Sequence, residues 1–483
     1  MVLLAATAPQ FSARDSTPER RVDALMWTVP ALLAAALGIW RLTRPALWAD
    51  ELATWGAVRL SWDELWQLSR AVDVVLTPYY AAMKAYVAVA GDSTAALRLP
   101  SVLAMTGTTL VVVALGRRLG GRGTGLAAGL VFATLPVTSR YAQEARPYAI
   151  TMLAAALAIL CLIRLLENPG PARAAAYAGA MLLAALSHPL GALLMLAGHI
   201  VAVAEGSPGR RGAAMWLGAT LPGGLCALTL MGLGYRSRTQ ISWIDHLTLS
   251  GFQVIPDRLF LSGAVGGIVL GLAVIAVRRE TIAVAAAAFV PMLALLAADQ
   301  VTPIWVARYV LVAVPPMTVL ATYAALRFGR SQAVGLVAVT VALGVPSQLD
   351  MREPAGHGAD STKVGAVIGP AWRSGDVVVF PDSHRSIPWA PRDMYDRYMP
   401  ASRPPDVLQI RPQRTNGRFL ALECPGASCL GDPLRIWVIR VDDPADPLRD
   451  MSPGKEKRLR ENYRIVQRWS YEQVGITLLE KDR

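Results

Sequence analysis

Trp48-Ala49-Asp50-Glu51-Leu52-Ala53-Thr54-Trp55 sets two adjacent carboxylates between two indoles, seven residues after an apolar run at 24–41. Two charges of one sign are costly in hydrocarbon, so the run before them ends at a membrane surface and the pair lies just outside it. The rest of the chain supports that reading. Of 483 residues 54% are hydrophobic and only 17% charged, and the mean hydropathy is +0.39. That is too long for one soluble core and too apolar for two. Disorder and coiled coil are excluded by the low charge. The net charge of +12 would suit nucleic acid, but through the first 350 residues arginines cluster between long apolar stretches. This is the pattern of a polytopic helical membrane protein with basic inner loops, so the expected partner is a lipid bilayer and not a nucleic acid.

A spanning helix needs roughly 17–25 mainly apolar residues. Runs at 24–41, 99–116, 123–138, 147–166, 173–188, 189–204, 213–233, 259–277, 281–298, 305–326 and 332–348 give about eleven spans. The fifth and sixth are separated only by Ser187-His188-Pro189. Met1–Ala8 is too short for a signal-peptide core and Arg14 to Arg21 follow it, so the first helix reads as a signal anchor. With residues 1–23 inside, the inner loops hold Arg20-Arg21, Arg117-Arg118 and Arg122, Arg173, Arg210-Arg211, Arg278-Arg279, and Arg327 and Arg330. Every inner loop is then basic, provided that 76–91 does not cross. That segment is short and carries Lys84 at its centre, which favours an interfacial or re-entrant helix within one large outer loop, 42–98. The three parts are then 1–23, a membrane domain at 24–349, and an extracytoplasmic tail at 350–483.

The first outer loop continues with Ser61-Trp62-Asp63-Glu64, a capping box opening a short helix on which Trp62 and Trp66 suit a headgroup layer. A second outer loop reads Ser139-Arg140-Tyr141-Ala142-Gln143-Glu144-Ala145-Arg146-Pro147-Tyr148, with Pro147 at the start of the next helix. In the tail, charge and proline rise. Asp376–Phe380, Arg418–Glu423, Arg435–Arg440 and Val474–Leu479 read as short strands, and 362–373 as a helix, giving a small α/β domain without a glycine-rich nucleotide fingerprint. Cys424 and Cys429 read as a disulfide in an oxidising compartment, because no second Cys or His pair accompanies them.

The order Trp48-x-Asp50-Glu51, Asp73 to Thr77-Pro78-Tyr79-Tyr80, Gly91-Asp92-Ser93 to Leu97-Arg98-Leu99-Pro100-Ser101, Gly116-Arg117-Arg118-Leu119-Gly120-Gly121 and Tyr141 to Tyr148 resembles the GT-C membrane glycosyltransferases. It is closest to the branch holding protein O-mannosyltransferases and the lipid A aminoarabinose transferase. Arg308-Tyr309 opening a late span extends the likeness. The usual His-Pro-Pro of that branch is here Thr77-Pro78-Tyr79. The resemblance implies inverting transfer of a hexose or pentose from a polyprenyl-phosphate carrier to an envelope glycan, lipid or protein acceptor, on the outer face of a bacterial inner membrane.

That chemistry needs a base at the acceptor hydroxyl and positive groups at the leaving phosphate. Asp50, matching the family's first acidic residue, is the expected base, and Glu51 is expected to position the acceptor or its loop. Glu144 would orient hydroxyls, and Arg146 and Arg308 would clamp phosphate through their forked donors. Asp73, Tyr148, Tyr309 and His188 complete the expected donor site, with Arg140 a further candidate. No metal-ligand cluster is spelled out; a divalent ion is compatible with the sequence but not specified by it. The competing reading is a transporter or flippase of lipid-linked sugars. That class would place charge near mid-membrane in repeated halves, whereas here the acidic and aromatic groups gather in outer loops.

Topology carries the first prediction. Reporters fused after Ala90 and within 350–483 should both report the outer side; a cytoplasmic signal after Ala90 would separate the Glu144 loop from Asp50.

Overall fold

The computed structural model describes residues 17–206, 209–236, 241–382, 387–442 and 444–482, with side chains from 23 onward. Met1–Ala8 and Arg14 lie outside the described residues, as do the side chains of Arg20 and Arg21. A helix occupies each of the eleven apolar segments, but seven are long and apolar enough to cross a membrane among the described residues. Two of the sequence segments belong to one stretch, Thr94–Thr134, whose helix breaks at Gly120 and Gly121. Those at 24–41 and 259–277 are shorter apolar helices, Asp23–Ile39 and Gly263–Ile275, and Pro171–Ser187 has 17 residues. Membrane spans and a small terminal sheet domain are present; a total of eleven is not what helix length gives.

The break folds Thr94–Thr134 back on itself. Gly121 takes φ +82°, a left-handed conformation that glycine adopts without penalty. The two limbs then approach so closely that a Cβ on Gly116 would lie 2.9 Å from the Thr124 carbonyl oxygen, and one on Gly125 2.9 Å from that of Val113. Small residues allow this backbone contact, the usual device for packing helices in lipid. The turn carries Arg117, Arg118 and Arg122, and ion pairs Arg118–Glu167, Arg122–Asp23 and Arg327–Glu280 gather the arginine-rich helix ends at one end of the bundle.

Short helices of the segment 42–98 cover the other end: Ala49–Val58, Trp62–Ala71 and Thr77–Ala90. Ser61 and Glu64 form the reciprocal capping box, at 3.1 and 2.8 Å. Trp62 and Trp66 remain 57% and 63% exposed, as a headgroup-facing surface requires. Lys84 does not face lipid alone: its ammonium donates to the carbonyls of Val58 and Leu60 and lies 5.3 Å from the Trp62 ring. A cation there caps the C-terminus of the Asp50 helix.

The tail forms strands β1 (Val377–Val379), β2 (Gln409–Arg411), β3 (Leu422–Glu423), β4 (Arg435–Arg440), β5 (Tyr463–Tyr471) and β6 (Val474–Lys481). The main sheet runs β1-β4-β6-β5, with β1 parallel to β4 and the other pairs antiparallel. Helices Lys363–Ala371 and Ala390–Tyr398 pack on it. Val378, Trp437, Ile439 and Ile476 join Ala390 and Met394 in one core with Leu52, Trp55, Tyr79, Tyr80 and Leu97. Sheet and first outer loop therefore share a hydrophobic core. Two strand readings need correction. Only Leu422–Glu423 of 418–423 is paired; the chain before it bends, and Phe419 packs on the Trp389 ring at 4.2 Å. β5 escaped the sequence because it is an edge strand exposed along most of its length, with no buried face to mark it. Cys424 and Cys429 are joined by a disulfide.

The hairpin contact predicts the effect of a side chain at its tightest point. Gly125→Val should destabilise the detergent-solubilised protein by about 1–3 kcal/mol, the cost of overpacking. A native melting temperature would show that the limbs can part freely.

Candidate active site

The site begins with Arg98, in the first turn of the Thr94–Thr134 helix and fully buried. Its guanidinium takes both Glu51 oxygens, Nε to Oε1 at 2.8 Å and Nη2 to Oε2 at 2.6 Å. Further donations reach the carbonyls of Leu42, Pro45 and Ala46 at 2.7, 3.0 and 3.1 Å, and Nδ1 of His357 lies 3.2 Å from Nη2. The Ala145 amide closes the set by donating to Glu51 Oε1 at 2.9 Å. Burial raises the Glu51 carboxyl, but the charge and hydrogen bonds of Arg98 outweigh it and hold the group well below its ordinary range. His357 Nδ1 also lies 3.4 Å from Glu51 Oε2, and burial with the nearby charges of Arg140 and Arg98 holds the imidazole well below its ordinary value, so the ring is neutral. Of the two roles expected for Glu51, positioning the acceptor or the neighbouring loop, the contacts fit the second: both oxygens are committed to protein and none of the side chain is exposed.

Successive residues of a helix point about 100° apart, so sealing Glu51 inward turns Asp50 toward a different wall. Its Oδ2 lies 3.8 Å from Arg308 Nη2 and 4.0 Å from Arg146 Nε, outside hydrogen-bond reach of both. Arg146 Nη1 donates to the Asp50 carbonyl at 3.4 Å and to Tyr80 Oη at 3.3 Å, and Tyr80 donates to Asp73 Oδ2 at 3.3 Å. Burial would lower Arg146, yet the Asp50 charge beside it raises it, so it stays a cation. Burial pushes the Asp73 carboxyl up against the pull of Arg146. Arg308 sits among rings, 5.5 Å from Trp243, 5.8 Å from Tyr309 and 5.9 Å from Trp48. Below it runs a row of aromatics: Tyr148 lies 5.7 Å from Tyr141 and 5.4 Å from His188, which is 5.3 Å from Tyr309. His188 Nδ1 accepts from the Gly191 amide at 3.0 Å, which leaves Nε2 to carry its proton. Glu144 is raised by burial against Arg140, which donates to its Oε2 at 2.7 Å while lying over Trp48 at 5.6 Å.

Four buried polar atoms on residues of this wall lack a partner among the described residues: Trp48 Nε1, Glu144 Oε1, Arg146 Nε and Arg308 Nε. Such atoms are expensive unless something completes them. They offer three donors and one acceptor around an open carboxylate, a pattern suited to hydroxyls and an anion. No group of three or more His, Cys, Asp or Glu side chains positioned for a metal occurs among the described residues. The two guanidinium groups beside Asp50 also disfavour a cation there.

The fold thus brings Asp50, Arg146, Arg308, Tyr148, Tyr309 and His188 together. Asp73 stands two links away through Tyr80, Glu144 reaches the wall through its free oxygen, and the Cys424–Cys429 bond lies in the tail. Sequence reasoning gave no role to Arg98, His357, Trp48, Tyr80 or Trp243. Apart from the Tyr80–Asp73 bond their partners are tens to hundreds of residues distant; Trp48, Tyr80 and Arg98 stand within the quoted motifs, whereas His357 and Trp243 carried no signal.

The helical bundle with its terminal sheet domain has the fold of solved structures of ArnT. Residues 75–232 match the family described as dolichyl-phosphate-mannose-protein mannosyltransferase. ArnT from Cupriavidus metallidurans in the apo state is similar with a TM-score of 0.55 at 13% identity, over 94% of this chain and 98% of that one. ArnT from the same organism bound to undecaprenyl phosphate gives the same figures. No curated protein sequence matches.

Opening the Arg98 knot tests its structural role. Glu51→Gln leaves a buried guanidinium short of its counter-charge and should cost about 3–5 kcal/mol. Stability of the native protein should also fall in acid. Glu51 is held below its ordinary value of 4.5, so its contribution is complete above that pH and fades as pH drops toward the folded value. His357, held below 6.5, is neutral when folded and adds a loss that begins under 6.5. A flat melting profile from pH 7 to 4, or native stability in Glu51→Gln, would contradict this.

Proposed function

We propose that this protein transfers a sugar from a polyprenyl-phosphate donor to an acceptor hydroxyl at the outer membrane face, with inversion and with Asp50 as general base. The observation that carries the reading is the wall itself: one open carboxylate with two cationic guanidinium groups 3.8 and 4.0 Å away and four unpartnered polar atoms around it. The family match to a mannosyltransferase that uses a lipid-phosphate sugar supports the reaction class, and the undecaprenyl phosphate bound by ArnT supports the carrier.

In the proposed step the acceptor oxygen bonds to the anomeric carbon as the bond from that carbon to phosphate oxygen breaks. The acceptor proton passes to Asp50. The electron pair leaves with polyprenyl phosphate, which gains a negative charge between Arg146 and Arg308. That charge appears only as the bond breaks, so the arginines favour the transition state over the bound donor. A single displacement from the face opposite phosphate inverts the anomeric carbon. Tyr148, His188 and Tyr309 supply rings and hydrogen-bonding edges to hold the sugar. On this reading 1–23 is cytoplasmic and the tail extracytoplasmic, because the arginine-rich bundle end opposes the site.

Substitution at two positions separates the roles. Asp50→Asn keeps shape and removes the proton acceptor, and should lower transfer by about 10²–10⁴-fold with donor binding retained. Arg308→Ala should weaken binding of undecaprenyl phosphate by about 1.5–3 kcal/mol, the worth of a hydrogen bond to a charged group. Native-rate transfer by folded Asp50→Asn excludes Asp50 as base.

A further inference from the structure

One loop of the tail lies against the Asp50 helix. Helix Ala390–Tyr398 presents Asp393, whose Oδ1 and Oδ2 receive Nη1 and Nη2 of Arg414 at 2.8 and 2.6 Å, a forked pair with both side chains 3% exposed. Gln413 donates to the same carboxylate and to the Trp389 carbonyl. Holding this geometry bends the loop sharply: Arg414, Asn416 and Gly417 take φ of +66°, +52° and +68°. Left-handed backbone at two non-glycine residues is unfavourable and persists only where the surroundings impose it. The surroundings are the first outer loop. A Cβ on Gly417 would stand 3.2 Å from the Gln67 carbonyl oxygen, and one on Gly56 only 2.7 Å from Arg414 Cζ.

Gly56 lies in the Asp50 helix, and the Arg414 guanidinium rests on its bare backbone. The same cation lies near enough to Asp73 to favour its ionised form. Hydrogen bonds run from Asp73 through Tyr80 to Arg146, which faces Asp50, and the Arg414–Asp393 pair of the tail acts on the Asp73 end of that chain through space.

We propose that Arg414 is a positioning residue of the Asp50 site: held by Asp393 and seated on Gly56, it lets the tail set the orientation of the Asp50 helix. The proposal rests on the function assigned above, but its geometry can be tested apart from that function. The tail is then a working part of the transferase and not an appendage. Arg146 keeps its own contact with Asp50, so the effect falls on alignment for the chemical step more than on donor capture.

The decisive variant is the full-length double substitution Arg414→Gln with Asp393→Asn, which removes the pair without stranding a buried charge. Expected are a melting temperature near native, undecaprenyl phosphate binding within about twofold of native, and kcat lower by roughly 10- to 100-fold, the scale of a small misalignment. Arg414→Lys, keeping the charge without the fork, should recover part of kcat. Gly56→Ala, which pushes the guanidinium away while leaving every charge in place, should reproduce the kcat loss. Hydrogen exchange over 49–58 and 73–80 should rise in the double variant and in Gly56→Ala. A merely structural role would lower melting temperature, binding and kcat together, and that pattern overturns the proposal. So does native kcat with unchanged exchange. If the native protein transfers no polyprenyl-phosphate sugar, the functional reading fails, and exchange at 49–58 and 73–80 still decides the positioning.

Discussion

The buried Arg98–Glu51 pair is the contact on which the outer half of this molecule depends. Ion pairs of this kind add little to stability once desolvation is counted, and their use lies in specifying one arrangement. Here the arrangement has four parts. Arg98 grips the chain entering the Asp50 helix at Leu42, Pro45 and Ala46, while Glu51 holds the Ala145 amide and His357 packs against both charges. First loop, second loop and the segment after the last long helix are thereby tied at one point. Helical rotation converts that tie into chemistry, since Asp50 can face the open wall only because its neighbour faces inward.

Around Asp50 the charges are matched but not joined. At 3.8 and 4.0 Å the arginines attract the carboxylate without hydrogen-bonding it, so neither group is consumed by the other. A closed salt bridge would leave nothing for a ligand; Arg392, bonded at once to Asp406 and Glu423, shows that form in the tail. The difference separates a site from a strut. It also bears on the transporter alternative, because the acidic, basic and aromatic groups of the wall collect at the end of the bundle opposite its arginine-rich turns and not along a path through it.

Much of this was legible in the sequence. Apolar runs located the helices, and the charge pattern together with the motif order brought forward Asp50, Arg146 and Arg308. What stayed hidden follows from two physical facts. Adjacent residues share a sequence neighbourhood but not a helix face, so Asp50 and Glu51 read alike until the fold turned one inward. Long-range pairs carry no periodicity: His357 lies 306 residues from Glu51, and Arg414 meets a glycine whose importance is its missing side chain. Gly120-Gly121 likewise reads as a loop between two spans, and only the backbone shows two limbs packed against each other through Gly116 and Gly125. The edge strand β5 lacks the alternation that marks a half-buried strand.

The central claim is that the Asp50 wall transfers sugar from a polyprenyl phosphate. Its most direct test is to supply the purified full-length protein with radiolabelled polyprenyl-phosphate sugars and an envelope fraction, and to follow the label. The account predicts protein-dependent movement of label from the lipid into the envelope fraction, with free polyprenyl phosphate released in equal amount. Label that stays on the lipid for every hexosyl and pentosyl donor, while the folded protein binds undecaprenyl phosphate, would contradict it.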